Sequence, residues 1–388
     1  MKKIGLISVL ILLSLLISCE AKSTAQTTAP AATPVVAAAP AAVPATPAPA
    51  PVVTPAPVAV ATPAPVAVSS QGTTLQTIKN RGYLVAGVNS ANAGFSYLMP
   101  DGSYEGFEVE FAKAMSVAVF GTPDKVEYRP LTSKERFTAL QSGEIDLLVR
   151  TATVTSTRDI ELALDFTTPY FYDGQTFLVR KDSGIETLKD LEGATIAVLT
   201  GSTSETNLSD IMAANSIKYK PLLFESLDEL KNAFFAGRAD AWTGDKSSIA
   251  ATASTYQNAA EYKTLEITIS KEPLAIAVRH GDNNWKDIVQ WVLFAMFLGD
   301  EKNVSSANVD AIKAETKDPE LQTMLGVRGE TGRTLGLAND WAYQVIKQVG
   351  NYAEVFNKHL GPDTVFNVSR GLNTPWTQGG LFYALPFR

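Results

Sequence analysis

The chain has 388 residues and a net charge of −7, with 45% hydrophobic and 19% charged residues. Length alone suggests about two or three domains. The single cysteine, Cys19, excludes an intrachain disulfide and a Cys-rich zinc site, and two histidines, His280 and His359, argue against a His-based metal cluster. The negative charge leaves no electrostatic footprint for nucleic acid. No metal, cofactor or nucleic-acid partner is therefore expected.

The N-terminus opens with Lys2 and Lys3, followed by an apolar run from Ile4 to Ile17. A positive start before a short apolar stretch predicts a secretory signal over residues 1–18. The run is shorter than the ~20 residues that span a bilayer, and none after it is longer. Leu16-Ile17-Ser18-Cys19 resembles a bacterial lipobox. That resemblance implies that Cys19 becomes the mature N-terminus and carries acyl chains, which anchor stably when there is more than one.

Residues 19–72 then read as a tether. No charged residue occurs from Ser23 to Ile78, and eleven of the 21 prolines fall between Pro30 and Pro65. Proline at that density stops an α-helix, and the segment lacks the bulky apolar residues of a core. Extended polyproline II at ~3.1 Å per residue would give residues 30–65 a reach on the order of 100 Å.

From Thr73 short apolar segments alternate with helical patterns. Strands are predicted at Tyr83–Val88, Lys125–Arg129, Ile145–Arg150, Thr176–Arg180, Thr195–Leu199, Tyr219–Phe224, Ala239–Thr243, Thr264–Ile269 and Leu274–Arg279. Helices are predicted near 107–119, 133–142, 203–214, 226–236, 245–255, 283–298 and 339–359. The alternation argues for α/β architecture with mainly parallel strands. One internal similarity stands out. Glu135-x3-Ala139-Leu140-x2-Gly143-x2-Asp146 matches Glu229-x3-Ala233-Phe234-x2-Gly237-x2-Asp240 at a constant offset of 94. Each copy reads as a helix, a glycine stop and a new strand. Two similar lobes are one reading, and a common α/β phrase repeated by chance is the other. The same offset pairs Thr151 with Asp245, both just past strand carboxyl ends, where open α/β sheets bind ligands.

The polar residues at these ends form a complementary set. Arg158, with Thr151 and Thr153, offers a planar donor fork and hydroxyls for a carboxylate. Ser202-x-x-Glu205 has capping-box spacing, so a helix should start at Ser202-Thr203 with free N–H groups that favour an anion. Asp245 begins the next helix, either as its N-cap or as the partner of an ammonium ion. Taken singly, each has a bland reading as a surface charge or a cap. Together they match a free α-amino acid, which carries both charges on one carbon.

Further motifs connect this body to a known family. Asp101-Gly102-Ser103-Tyr104-Glu105-Gly106-Phe107-Glu108-Val109-Glu110 resembles the DGxxxGFDVD signature of family-3 extracellular solute-binding proteins, the amino-acid-binding components of ABC importers. Thr153-Val154-Thr155-Ser156-Thr157-Arg158, with Asp165-Phe166-Thr167-Thr168-Pro169-Tyr170, resembles a second signature of that family. Tyr128–Asp146, Ile269–Trp285, Trp341–Tyr352 and Arg370–Arg388 are similar to its general L-amino-acid-binding members. The resemblance covers nearly all of 73–388.

The resemblance implies a two-lobed α/β periplasmic-binding-protein fold, a Venus flytrap with two strand crossovers near Gly174–Val179 and Ile269–Ala277. Lobe 1 would be 73–175 plus 275–388, and lobe 2 would be 176–274. It implies that Arg158, Thr153, Thr151, Ser202 and Thr203 bind the ligand α-carboxylate and Asp245 the α-ammonium. Asn89, Asn92, Phe95 and Ser133 would line the pocket. Asn92 and Ser133 stand where many relatives stack aromatics, which implies a roomier, less selective site. Ala112, Ala197 and Ala239 stand where close relatives carry cysteines. The implied protein is a monomeric, lipid-anchored binding component at the periplasm or outer face of the envelope. It would be no enzyme, and would deliver free L-amino acids to an ABC permease in the cytoplasmic membrane. A module feeding a receptor is an alternative, and an enzyme on the same fold is a more distant one.

Overall fold

A computed structural model describes residues 73–388 of the protein. The expected export signal, Cys19 and the tether lie outside the described residues. The strands in chain order are β1 Leu84–Val88, β2 Ala91–Asn92, β3 Ser96–Leu98, β4 Tyr104–Glu105, β5 Val126–Pro130, β6 Leu147–Leu148, β7 Leu164–Phe166, β8 Phe171–Asp173, β9 Gln175–Arg180, β10 Thr195–Leu199, β11 Lys220–Phe224, β12 Ala241–Asp245, β13 Tyr262–Thr264, β14 Glu272–Leu274 and β15 Ala277–Arg279. The helices that concern the site are α1 Thr73–Arg81, α2 Phe107–Phe120, α3 Arg136–Ser142, α4 Thr203–Ala214, α5 Leu227–Phe235, α6 Lys246–Thr255 and α7 Asn283–Glu301. Five shorter helices, α8 to α12, follow at Val309–Glu315, Pro319–Met324, Thr331–Leu335, Trp341–Gln348 and Tyr352–His359.

Two five-stranded sheets share one plan. The first runs β5-β1-β6-β15-β7 and the second β11-β10-β12-β9-β13. In each, the first three strands are parallel, the fourth pairs antiparallel with both its neighbours, and the fifth therefore runs with the first three. The expectation of mainly parallel sheets is therefore corrected to mixed ones. The chain leaves the first sheet through β8 and returns through β14, which pair antiparallel with each other. Strands β9 and β15 follow those crossings directly, so each enters its sheet against the parallel set.

The two copies of the internal repeat occupy equivalent places. Gly143 and Gly237 end α3 and the α5 turn with φ of 81° and 74°. Asp146 and Asp240 each accept a hydrogen bond from the backbone N–H of the neighbouring strand, Val85 or Thr195, at 2.7 Å. In return, the N–H of Asp146 and of Asp240 donates to the carbonyl of that same residue, at 2.9 and 2.8 Å. The aspartate thus pins the start of each central strand pair, which explains its recurrence at an offset of 94.

Three further predicted elements differ. Of the predicted strand Thr264–Ile269 only Thr264 is in a strand, at the end of β13, and 265–269 run on without strand pairing. Residues 339–359 form α11 and α12 rather than one helix. Gly350 has φ 106°, and Asn351 with Glu354 makes a full capping box that starts α12. The predicted strand Leu274–Arg279 is split, because β14 belongs to the crossing pair and β15 to the first sheet.

The first lobe buries a large cluster around α2 and α7, including Phe107, Phe111, Trp285 and Tyr352, and a smaller one around α3 with Leu140 and Leu148. The second lobe packs separate clusters on the two faces of its sheet. Ala112 and Ala197 are fully buried and Ala239 nearly so, so all three sit in apolar packing. Gly106 in the first signature is obligatory on steric grounds. Its φ is 135°, and a Cβ there would lie 2.2 Å from the carbonyl oxygen of Phe95. Gly106→Ala should lower stability by about 1–3 kcal/mol from backbone strain, and more from the clash. Denaturant melting checks this.

Candidate ligand-binding site

The carboxyl ends of the parallel strands of both sheets face a single cavity of about 50 Å³. Its first-lobe wall includes Asn89 after β1, Ser133 and Arg136 at α3, and Arg150 and Thr151 after β6. Its second-lobe wall includes Ser202 and Thr203 after β10, and Trp242 and Asp245 of β12. The lobes touch around it. The Ser248 hydroxyl donates to Asn92 Oδ1 at 2.6 Å, Lys231 Nζ to the carbonyl of Ala91 at 3.0 Å, and Lys134 pairs with Glu225 at 3.2 Å. Ala91 also packs into the second lobe's cluster with Leu227 and Trp242. The cleft is therefore in a closed arrangement.

On the second lobe, α4 starts as its spacing predicts. Ser202 Oγ accepts from the N–H of Glu205 at 3.2 Å, and Glu205 accepts from the N–H of Gly201 at 2.7 Å. Ser202, Thr203 and Ser204 of this helix start line the cavity, and a helix N-terminus favours an anion. Asp245 occupies the N-cap position of α6, yet its side chain makes no capping hydrogen bond. Its carboxylate is free for another cation. Burial, with Asp173 and Glu272 nearby, pushes its pKa well above the ordinary carboxylate value. Asp173, in the crossing strand β8, is pushed up to about 6 by burial, against hydrogen bonds from Ser247 and Gly174.

On the first lobe, Thr151 takes a left-handed φ of 37°, uncommon for a β-branched residue. Its N–H donates to Glu108 Oε1, which also accepts from the Tyr170 hydroxyl. Backbone strain of this kind, held by a buried carboxylate, is concentrated at functional sites. Burial pushes Glu108 up, while the Tyr170 and Thr151 bonds and the Arg150 and Arg136 charges oppose it.

Arg158 lies in a single π-turn, Thr157–Glu161. It is buried, donates to the carbonyl of Thr153 at 2.7 Å, and stacks on the Phe137 ring at 4.8 Å. Burial lowers its pKa to about 10, with Glu272 and Asp245 opposing, so it stays charged at neutral pH. Arg158 and Thr153 flank the cavity without lining it. The hydroxyls of Thr153 and Thr203, one from each lobe, both donate to Glu272 Oε2, at 2.5 and 2.9 Å. Asn207 and Ser270 donate to its other oxygen at 2.8 and 2.5 Å.

Of the residues expected from the sequence, Asn89, Asn92, Ser133, Thr151, Ser202, Thr203 and Asp245 line the one cavity. Phe95 does not, and that expectation is corrected. It is fully buried in the first lobe's core, edge-on to Phe107 and Phe171 at 6.1 and 5.4 Å. Its neighbours Gly94 and Gly106 turn the ring inward. Three residues at the site were not anticipated. Arg136 had a signal, because spacing i, i+3, i+4 sets it on the buried face of α3 with Ala139 and Leu140. Arg150 had a weaker one, a charge closing the apolar run Ile145–Val149. Glu272 had none, since its place depends on where the returning strand crosses.

Comparisons with known proteins agree with this fold. Residues 84–362 match the family model described as bacterial extracellular solute-binding proteins, family 3. The chain is 46% identical over 320 residues to the glutamate/glutamine/aspartate/asparagine-binding protein BztA of Rhodobacter capsulatus, covering 82% of this chain and 95% of that one. It is 44% identical over 322 residues to the general L-amino acid-binding periplasmic protein AapJ of Rhizobium johnstonii, covering 82% and 94%. Among solved structures, a periplasmic binding protein of an ABC transporter from Brucella ovis, with glutathione bound, superposes with a TM-score of 0.79 at 40% identity. It covers 81% of this chain and 99% of that one. With the paired lobes, the closed cleft and these matches together, the chain belongs to the bacterial extracellular solute-binding proteins, family 3.

Proposed function

We propose that the protein is the substrate-binding component of an amino-acid ABC importer. It takes up free L-amino acids between its lobes, with broad specificity, and delivers them to a permease. The observation that carries this reading is the meeting at one closed cavity of opposite recognition elements: buried guanidinium groups and the α4 start for an anion, and the uncapped carboxylate of Asp245 for a cation. In this reading Arg158, Thr151, Thr153, Ser202 and Thr203 hold the α-carboxylate and Asp245 holds the α-ammonium. Asn89, Asn92 and Ser133 contact the rest of the ligand. The Glu272 carboxylate occupies the Thr153 and Thr203 hydroxyls, so an incoming carboxylate shares or displaces that contact. Residues 73–175 with 275–388 move against 176–274 about the β8–β14 pair. A ligand that bridges both sides favours closure, because only differential affinity for the closed state shifts the equilibrium.

The reading also includes the segment before residue 73. Cys19 is acylated, and the Ala/Pro-rich tether lets the binding body reach a permease from the membrane surface. No bond is made or broken in this function.

A thermal-shift panel of the twenty L-amino acids tests the binding. Several should raise the melting temperature in a concentration-dependent way, as ligand stabilises by RT ln(1 + [L]/Kd). Stabilisation by none of the twenty would refute the reading.

A further inference from the structure

Three arginines among the described residues are buried: Arg136, Arg150 and Arg158. None of them pairs with a carboxylate within 4.0 Å, whereas five half-buried or exposed arginines do. A buried guanidinium without a counter-ion is costly, and in a binding protein the missing anion is the natural property of the ligand. An α-carboxylate accounts for one of the three, Arg158. Two remain.

Arg136 and Arg150 both line the cavity. Arg150 spends Nε on the carbonyl of Leu131 at 2.6 Å and Nη1 on the Ser133 hydroxyl at 3.2 Å. Arg136 spends Nη1 on the carbonyls of Arg150 and Thr151, at 3.1 and 3.5 Å, and its Nε is buried with no partner at all. These bonds fix both side chains by their stems and leave donors over. Asp245 acts on both arginines by charge alone, and Glu108, whose charge acts on Arg150, has one oxygen committed to Thr151 N and the Tyr170 hydroxyl. Its other oxygen is unpaired and bonds neither arginine. Ser133 and Arg150, held together, stand on the lobe opposite Asp245, apart from the α4 start.

We propose that Arg150 and Arg136 form a second anion subsite, which takes the side-chain carboxylate of a dicarboxylic amino acid. The protein is then broad in what it admits but ordered in preference: acidic side chains first, their amides next, and aliphatic side chains last. The inference rests on the proposed amino-acid binding and deepens it. Two adjacent donor forks match a second carboxylate better than a single ammonium would.

Isothermal titration on the wild-type chain provides the first test, with L-glutamate, L-glutamine and L-norvaline as probes of similar length. L-Glutamate should bind at least tenfold more tightly than L-norvaline, with L-glutamine between. Equal affinities for glutamate and norvaline would overturn the subsite while leaving amino-acid binding intact. Absence of binding by all three, and by the rest of the twenty, would overturn both. The second test is Arg150→Met, which keeps the stem and removes the charge. L-Glutamate affinity should fall at least tenfold while that for L-norvaline changes less than about threefold. An equal loss for both ligands would refute the assignment. Should Arg150→Met fail to fold, the wild-type ranking alone decides.

Discussion

Asp245→Ala and Arg158→Ala should each reduce affinity for free L-amino acids by on the order of 10²–10³-fold. Removing one partner of a buried, hydrogen-bonded charge pair costs about 3–5 kcal/mol, because the other charge is left uncompensated, and about 1.4 kcal/mol is a factor of ten in Kd. Calorimetric titration reads the loss directly. Removing the charge at the two positions should have different effects on the free protein. Asp245 makes no capping bond, and burial beside Asp173 and Glu272 raises its pKa well above the usual value. A carboxyl whose folded pKa exceeds its unfolded one disfavours folding at pH above the folded pKa. The unliganded Asp245→Asn protein should therefore melt at a higher temperature than wild type at neutral pH. Arg158 stacks on Phe137 and bonds the Thr153 carbonyl, so Arg158→Ala should melt at the same temperature or lower. Unchanged affinity in either variant would remove that residue from the site.

The second large effect is on pH. The α-ammonium of a ligand is attracted only by the ionised form of Asp245, and that form is disfavoured in the empty cleft. Asp173, pushed up to about 6, titrates in the same neighbourhood and stabilises the Asp245 proton while it is itself ionised. Ligand binding must then release a proton as pH falls below the raised pKa of Asp245. Affinity should fall with decreasing pH, approaching tenfold per unit, beginning above the ordinary carboxylate range rather than near 4. Histidine is not the source of this slope. His280 bonds Asp165 and His359 bonds Glu110, and neither lines the cavity. Titrations between pH 8 and pH 5 check the slope, and Asp245→Asn should flatten it while weakening binding throughout. A wild-type affinity independent of pH across that range would contradict the role of Asp245.

The pH dependence of folding has the opposite sign elsewhere in the molecule. Glu110 is lowered to about 2, with burial opposed by His359 and Lys358, and Lys113 adding to the pull. Its contribution to stability is present above the unfolded value near 4.5 and is lost as pH falls toward 2. Asp173 and Asp245 act the other way, favouring the fold as they take up protons between their raised pKa and the unfolded value near 4. Acid therefore opposes ligand capture before it opposes the fold.

The sites of agreement and disagreement with the sequence have physical causes. The starts of α4 and α6 were legible because capping is local chemistry: Ser202 and Glu205 act within one turn, and Asp245 follows directly from a strand. The break between α11 and α12 is also written locally, in Gly350-Asn351-x2-Glu354, but the apolar periodicity on either side masks it. The family resemblance put Phe95 in the pocket. The turn at Gly94 and Gly106 buries it instead, a consequence of φ values and a close backbone contact that no periodicity reports.

By itself the sequence determined the α/β character, the family signatures, the repeated helix–glycine–strand–aspartate unit and the strand ends that face the cavity. All of these depend on neighbours within a few residues or on strong local patterns. Only the tertiary structure decided that the sheets are mixed, because the antiparallel strands follow crossings whose partners lie about a hundred residues apart. It alone decided that Glu272 clasps a threonine from each lobe. It also decided that three guanidiniums are buried with no ion pair within 4.0 Å, since charge pairing is settled by the distances between side chains and not by their order along the chain.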